Sequence, residues 1–222
     1  MRQIFLDTET TGLDPNQGHR IIEIAAIEIQ NRQQTNNRFH AYLNPERDID
    51  PAAQEVHGIS MEFLQDKPFF IDISEEFLSF IGDAEVIIHN APFDVGFINM
   101  ELGKIGDKKI EECCLEITDS LKLAKEIRPG QRNSLDALCR AYGINNSQRS
   151  LHGALLDAEL LGEVFLAMTR GQEAFSINFT EEKSAIELTP VNQSMLRVVK
   201  TTKDEEDLHK NYLSSLNGKI DW

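Results

Sequence analysis

An α/β layer fold is predicted for the chain up to about residue 169, on three observations. Short β-branched runs alternate with longer segments whose apolar residues recur at helical spacing. Turn and capping residues punctuate the boundaries. With 222 residues, 41% of them hydrophobic and 27% charged, the chain is long enough and ordinary enough in composition to bury a core.

The elements follow in order. Ile4 to Leu6 form an apolar run that reads as a buried strand, with Asp7 and Glu9 directly after it. IIEIAAIEI (21–29) reads as a second strand and FHAYL (39–43) as a third, giving a meander. NPERDIDP (44–51) is a turn region. Asp72 and Glu75 have capping-box character ahead of a helix over EEFLSFI (75–81). EVIIH (85–89) reads as a buried strand, and Pro92 suits the first turn of a helix running to about Leu102. SLKLAKEI (120–127) and NSLDALCRAYGI (133–144) read as helices, the second ending near Gly143. HGALLDAELLGEVFLAMT (152–169) is a strongly apolar helix. After Gly171 the chain turns polar. LRVV (196–199) is an apolar island there, DEEDLHKNYLSSL (204–216) reads as a final helix, and the one tryptophan is Trp222.

Charge and composition limit the function. A net charge of −15 argues against a broad basic grip on nucleic acid. It permits a site dominated by bound cations, or a grip supplied by a partner. No run approaches the ~20 apolar residues of a membrane span, and the N-terminus carries no signal-peptide pattern. Cys113, Cys114 and Cys139 have no metal or redox spacing and read as reduced thiols, so a cytoplasmic location is expected.

The chemistry lies in the acids. Asp and Glu make up 37 of 222 residues, so an acid-x-acid pair arises by chance about six times and means little alone. Asp7 and Glu9, however, end an apolar strand, where residues i and i+2 share a face. Asp94 falls in the first turn of the helix after the 85–89 strand. His152 and Asp157, five apart, would not share a helical face, which places His152 on the loop before the helix. Asp157 sits in an apolar stretch and needs a partner if buried. Four carboxylates at one centre suit two divalent cations, Mg²⁺ or Mn²⁺. Two such cations suit in-line displacement at phosphorus, and an imidazole suits a general base on the attacking water.

FLDTETTGL (5–13), HNAPFD (89–94) and LHGALLDAE (151–159) resemble the three motifs of the DEDD-type 3′–5′ exonucleases, histidine subtype. All five catalytic positions match: Asp7, Glu9, Asp94, His152 and Asp157. The resemblance covers roughly residues 3–170 and implies an RNase H-like fold with a five-stranded mixed sheet flanked by helices. VHGI (56–59), DSLKLA (119–124) and the long third motif are similar to the members that proofread for bacterial DNA polymerase III.

That resemblance implies further assignments. Asp7 bridges the two cations, Glu9 and Asp157 complete one site, and Asp94 serves the other through water. His152 deprotonates the attacking water, and a nucleoside 5′-monophosphate leaves from a frayed 3′ end. Asp7, Glu9 and Asp157 also touch the terminal nucleotide, together with His57, Leu13, Val56 and Phe93. Ala52 departs from the family, where a glutamate is expected. The implied organisation is an exonuclease domain (1–170), a peptide (171–177) binding the sliding clamp through Gln172, Phe175 and Ile177, a linker (178–204), and a flexible tail (205–222) binding the polymerase alpha subunit. A free-standing 3′–5′ exoribonuclease and a catalytically inactive replisome adaptor stand as the rival readings.

Overall fold

In the computed structural model, residues 1–106, 108–147, 149, 151–170 and 201–215 are described. β1 (Arg2–Thr10), β2 (Ile21–Gln30) and β3 (Gln33–Tyr42) form the antiparallel meander. β4 (Glu85–Ile88) and β5 (Glu116–Asp119) continue the sheet in parallel on the other side of β1, giving the order β3-β2-β1-β4-β5. The helices are α1 (Pro51–His57), α2 (Met61–Leu64), α3 (Phe70–Ile81), α4 (Ala91–Lys104), α5 (Ser120–Ile127), α6 (Leu135–Tyr142) and α7 (Ala154–Met168).

Both faces of the sheet are covered, which is why β2 is buried along nearly its whole length. Strand alternation sorts the side chains. Ile4, Leu6, Ile24, Ala26, Val86 and Ile88 pack against Phe70, Phe77, Phe97 and Leu102 of α3 and α4. Phe5, Ile27, Ile29 and Ile87 pack against Leu138, Leu161, Val164 and Phe165 of α6 and α7. A Cβ on Gly162 of α7 would sit 3.1 Å from Ile29 Cδ1, so the small residue lets the helix lie close on β2. The α4 face is locked to the start of β2 by a bidentate pair, with Arg20 Nε and Nη2 at 2.5 and 2.8 Å from the two oxygens of Glu101. At the end of β1, a Cβ on Gly12 would collide with the His19 ring, so that turn requires glycine.

Several expectations need correction. The third strand begins at Gln33 and not at Phe39, because its polar first half pairs through the backbone at the sheet edge. Asp72 is the third residue of α3 and accepts from the Phe69 backbone N–H at 2.8 Å; the helix starts five residues before Glu75. The turn region 44–51 runs into α1, which the sequence did not announce, and α2 and β5 are likewise additions. No disulfide joins Cys113, Cys114 or Cys139. Among the described residues no helix is long and apolar enough to cross a membrane.

The chain divides into two units, Met1–Ile177 and Asn178–Trp222. Within the second lies α8 (Lys203–Ser215), whose start is closed by Thr202 N–H donating to Glu205 Oε2 at 2.8 Å. Leu208 and Tyr212 are exposed one turn apart on it. The apolar island at 196–199 lies outside the described residues, as do Gln172, Phe175 and Ile177.

Candidate active site

The pairing of β1 with β4 ends at Leu6 and Ile88, so Asp7 is the first β1 residue beyond the end of its parallel neighbour. Ligand crevices in open α/β sheets form at such carboxyl ends. Alternation directs Asp7 and Glu9, like Phe5, to the α7 face, and Thr8 to the α4 face. Thr8 Oγ1 donates to Asp94 Oδ1 at 2.6 Å. The turn that delivers Asp94 depends on Asn90, which adopts φ 71°, ψ 50°, a left-handed conformation that asparagine tolerates. The Asn90 amide is held by Asp119 Oδ1 at 3.2 Å.

The third motif is fixed from two sides. The Ala154 amide, first in α7, donates to Glu23 Oε2 at 3.2 Å. The His152 amide donates to the Val56 carbonyl at 3.1 Å. His152 therefore stands on the corner before the helix, and Asp157 lies in the first turn. One cavity of about 540 Å³ is lined by Asp7, Glu9, Asp94, His152 and Asp157 together. Ligand atoms of Glu9, His152 and Asp157 lie within 4.8 Å of one another.

These acids crowd one another. Burial, then the Asp94, Asp157 and Glu9 charges, push the Asp7 carboxyl well above its ordinary value. Burial, followed by Asp157 and Glu23, raises Glu9 to about 8. Burial raises Asp94 to about 7 despite the Thr8 hydrogen bond. Asp157 goes the other way. Burial pushes it up, but its neighbours His152 and Arg149 outweigh this and hold it below the usual range. Of the two, Arg149 is the hydrogen-bond donor, to both carboxylate oxygens. His152 Nδ1 is 3.3 Å from Asp157 Oδ2 and 2.7 Å from Arg149 Nη2. A nitrogen that accepts from an always-charged guanidinium is not also a donor. Three acids that favour protons and offer hard oxygen donors fit divalent cations such as Mg²⁺ or Mn²⁺.

A second pocket, of about 370 Å³, shares Thr8, Glu9 and Phe93 with the first. Leu13, Val56 and His57 line it, as do Ala52 and Ala53. Leu13 is 83% exposed at its rim, whereas His57 is buried and accepts from the Ile59 amide through Nδ1 at 3.0 Å. The seven residues expected at the terminal nucleotide thus fall in two adjoining cavities. Thr8, Glu23, Asp136 and Arg149 were not anticipated. Thr8 stands inside the first motif and Arg149 two residues before the third, and nothing in a one-dimensional pattern marks their partners.

Comparisons with known proteins show the family and the fold. The exonuclease family profile matches residues 4–165. DNA polymerase III subunit epsilon of Rickettsia prowazekii is 48% identical over 224 residues, covering 97% of each chain. The Salmonella typhimurium protein of the same name is 48% identical over 230 residues, covering 98% of this chain and 94% of its own. The nuclease domain of 3′hExo, a DEDDh family member solved with rAMP, shares the fold at a TM-score of 0.66 and 16% identity, over 76% of this chain and 92% of that one. The chain belongs to the exonuclease family, among the DNA polymerase III epsilon subunits.

Proposed function

We propose that this protein is a metal-dependent 3′–5′ exonuclease that proofreads for a bacterial DNA polymerase III in the cytoplasm. The observation that carries the reading is the convergence of Asp7, Glu9, Asp94, His152 and Asp157 on one cavity, in a chain that matches epsilon subunits over 97% of its length.

Two divalent cations would neutralise the acids and polarise the scissile phosphate. Asp7, Glu9, Asp157 and Asp94, the last held by Thr8, would hold them. The terminal nucleotide occupies the second pocket against Leu13, Val56, His57 and Phe93, with Asp7, Glu9 and Asp157 at its phosphate end. Ala52 leaves this pocket more apolar than a glutamate would. His152, 44% exposed at the cavity, takes a proton from the attacking water. The water oxygen bonds to phosphorus as the P–O3′ bond breaks. The 3′-oxygen stays on the shortened strand, and a nucleoside 5′-monophosphate is released. A mispaired end enters more easily because unpairing it costs less.

The assay that tests this compares Mg²⁺-dependent monophosphate release from mispaired DNA, paired DNA and short RNA. The expected order is mispaired DNA, then paired DNA, then RNA. Preference for RNA would favour an exoribonuclease, and no cation-dependent release would favour an inactive adaptor.

The same reading assigns residues 171–177, through Gln172, Phe175 and Ile177, to the sliding clamp, and 205–222 to the polymerase alpha subunit. The exposed Leu208 and Tyr212 of α8 support the second assignment. Deleting 205–222 should abolish co-purification with the alpha subunit and leave monophosphate release intact; retained binding would remove the tail from that role.

A further inference from the structure

Arg149 brings a guanidinium into the acid cluster. It lies between α6 and α7, its side chain is only 7% exposed, and each of its nitrogens is engaged. Nε and Nη2 donate to Oδ1 and Oδ2 of Asp157 at 2.5 and 2.8 Å. Nη1 pairs with Asp136 Oδ1 at 2.8 Å. Nη2 also donates to His152 Nδ1 at 2.7 Å.

Each contact bears on the site. The bidentate pair engages both oxygens of a carboxylate assigned above to a cation. A guanidinium does not give up its proton, so it is a fixed positive charge that repels any cation approaching Asp157. On the other side, Nδ1 of His152 is occupied as an acceptor. Asp136 is different: it lies in the first turn of α6, 42% exposed, and is steadied by Asn146 Nδ2 at 2.9 Å.

We propose that Arg149 is a positioning residue that competes with a divalent cation for Asp157 and, on yielding, frees His152 Nδ1 to act as base, with Asp136 as the anchor on which the guanidinium turns. The inference rests on the two-cation reading. It differs in sign from a plain structural staple between α6 and α7, whose loss would loosen the ligands and weaken cation binding.

Chelator-treated protein titrated with Mn²⁺ by calorimetry separates the two. Arg149→Gln should bind Mn²⁺ about tenfold tighter than wild type, because the competing charge is gone. Asp136→Asn should bind it more weakly, because the guanidinium then rests wholly on Asp157. Unchanged or weaker binding by Arg149→Gln would overturn the proposal. Wild type that binds no Mn²⁺ would overturn the cation reading and the competition with it. A measurement on the unaltered protein keeps the proposal testable should the variants not fold. The ¹⁵N resonance of the Arg149 Nε–H should shift between chelator and Mg²⁺; an unchanged resonance with Mg²⁺ bound would overturn the competition.

Discussion

Asp7→Asn should reduce cation-dependent release of nucleoside monophosphate by roughly 10³-fold or more, since it neutralises the acid proposed to serve both cations. Fold and function should separate cleanly in this variant. In chelator, Asp7 and Glu9 hold their protons above the ordinary carboxylate range, Glu9 to about 8. A raised carboxyl means that the folded state binds more protons than the unfolded chain. Its stabilising contribution is full below the unfolded value of 4.5 and is lost as pH rises through about 8. Chelated wild type should therefore lose stability across that window, by a few kcal/mol in order of magnitude. Asp7→Asn removes one of the charges responsible, so its stability should fall less between pH 4.5 and 8. Denaturant titrations at both pH values check this. A variant that is inactive because it is unfolded at pH 8 would contradict the assignment of Asp7 to chemistry.

Glu101→Ala should destabilise the domain by about 3–5 kcal/mol, the cost of leaving a buried charge without its partner. Glu101 is 2% exposed and takes both arms of Arg20. With it gone, Arg20 retains among the described residues only Glu46 as an acid partner, at 3.4 Å and on a half-exposed side chain. The pair ties α4 to the start of β2, so the loss reaches the site through Asp94 at the other end of that helix. Urea unfolding measures the effect. A change below about 1 kcal/mol would mean that Arg20 finds water without cost.

Much of this architecture was legible in one dimension, for identifiable reasons. Ile4–Leu6, Ile21–Ile29 and Glu85–Ile88 are buried on both faces and so read as nearly continuous apolar runs. The first half of β3 and all of β5 but Ile117 are polar, and both stretches are exposed or half-buried; backbone pairing makes them strands, and composition does not report that. The short α1 and α2 bury His57 and Leu64 and little else, too little for helical periodicity. At the site, the five motif residues were legible through the resemblance of three motifs in order, with the spacing along a strand and before a helix in support. Thr8, Glu23 and Arg149 did not, because their roles are set by contacts with Asp94, Ala154 and Asp157 across the fold.

The central claim is that Asp7, Glu9, Asp94 and Asp157 form one centre for two divalent cations. Anomalous scattering from crystals of the protein grown with Mn²⁺ and a nucleoside 5′-monophosphate tests it most directly. The account predicts two peaks in the cavity between β1, α4 and α7, with Asp7 touching both. A single peak away from Asp7, or none among these four carboxylates, would contradict it.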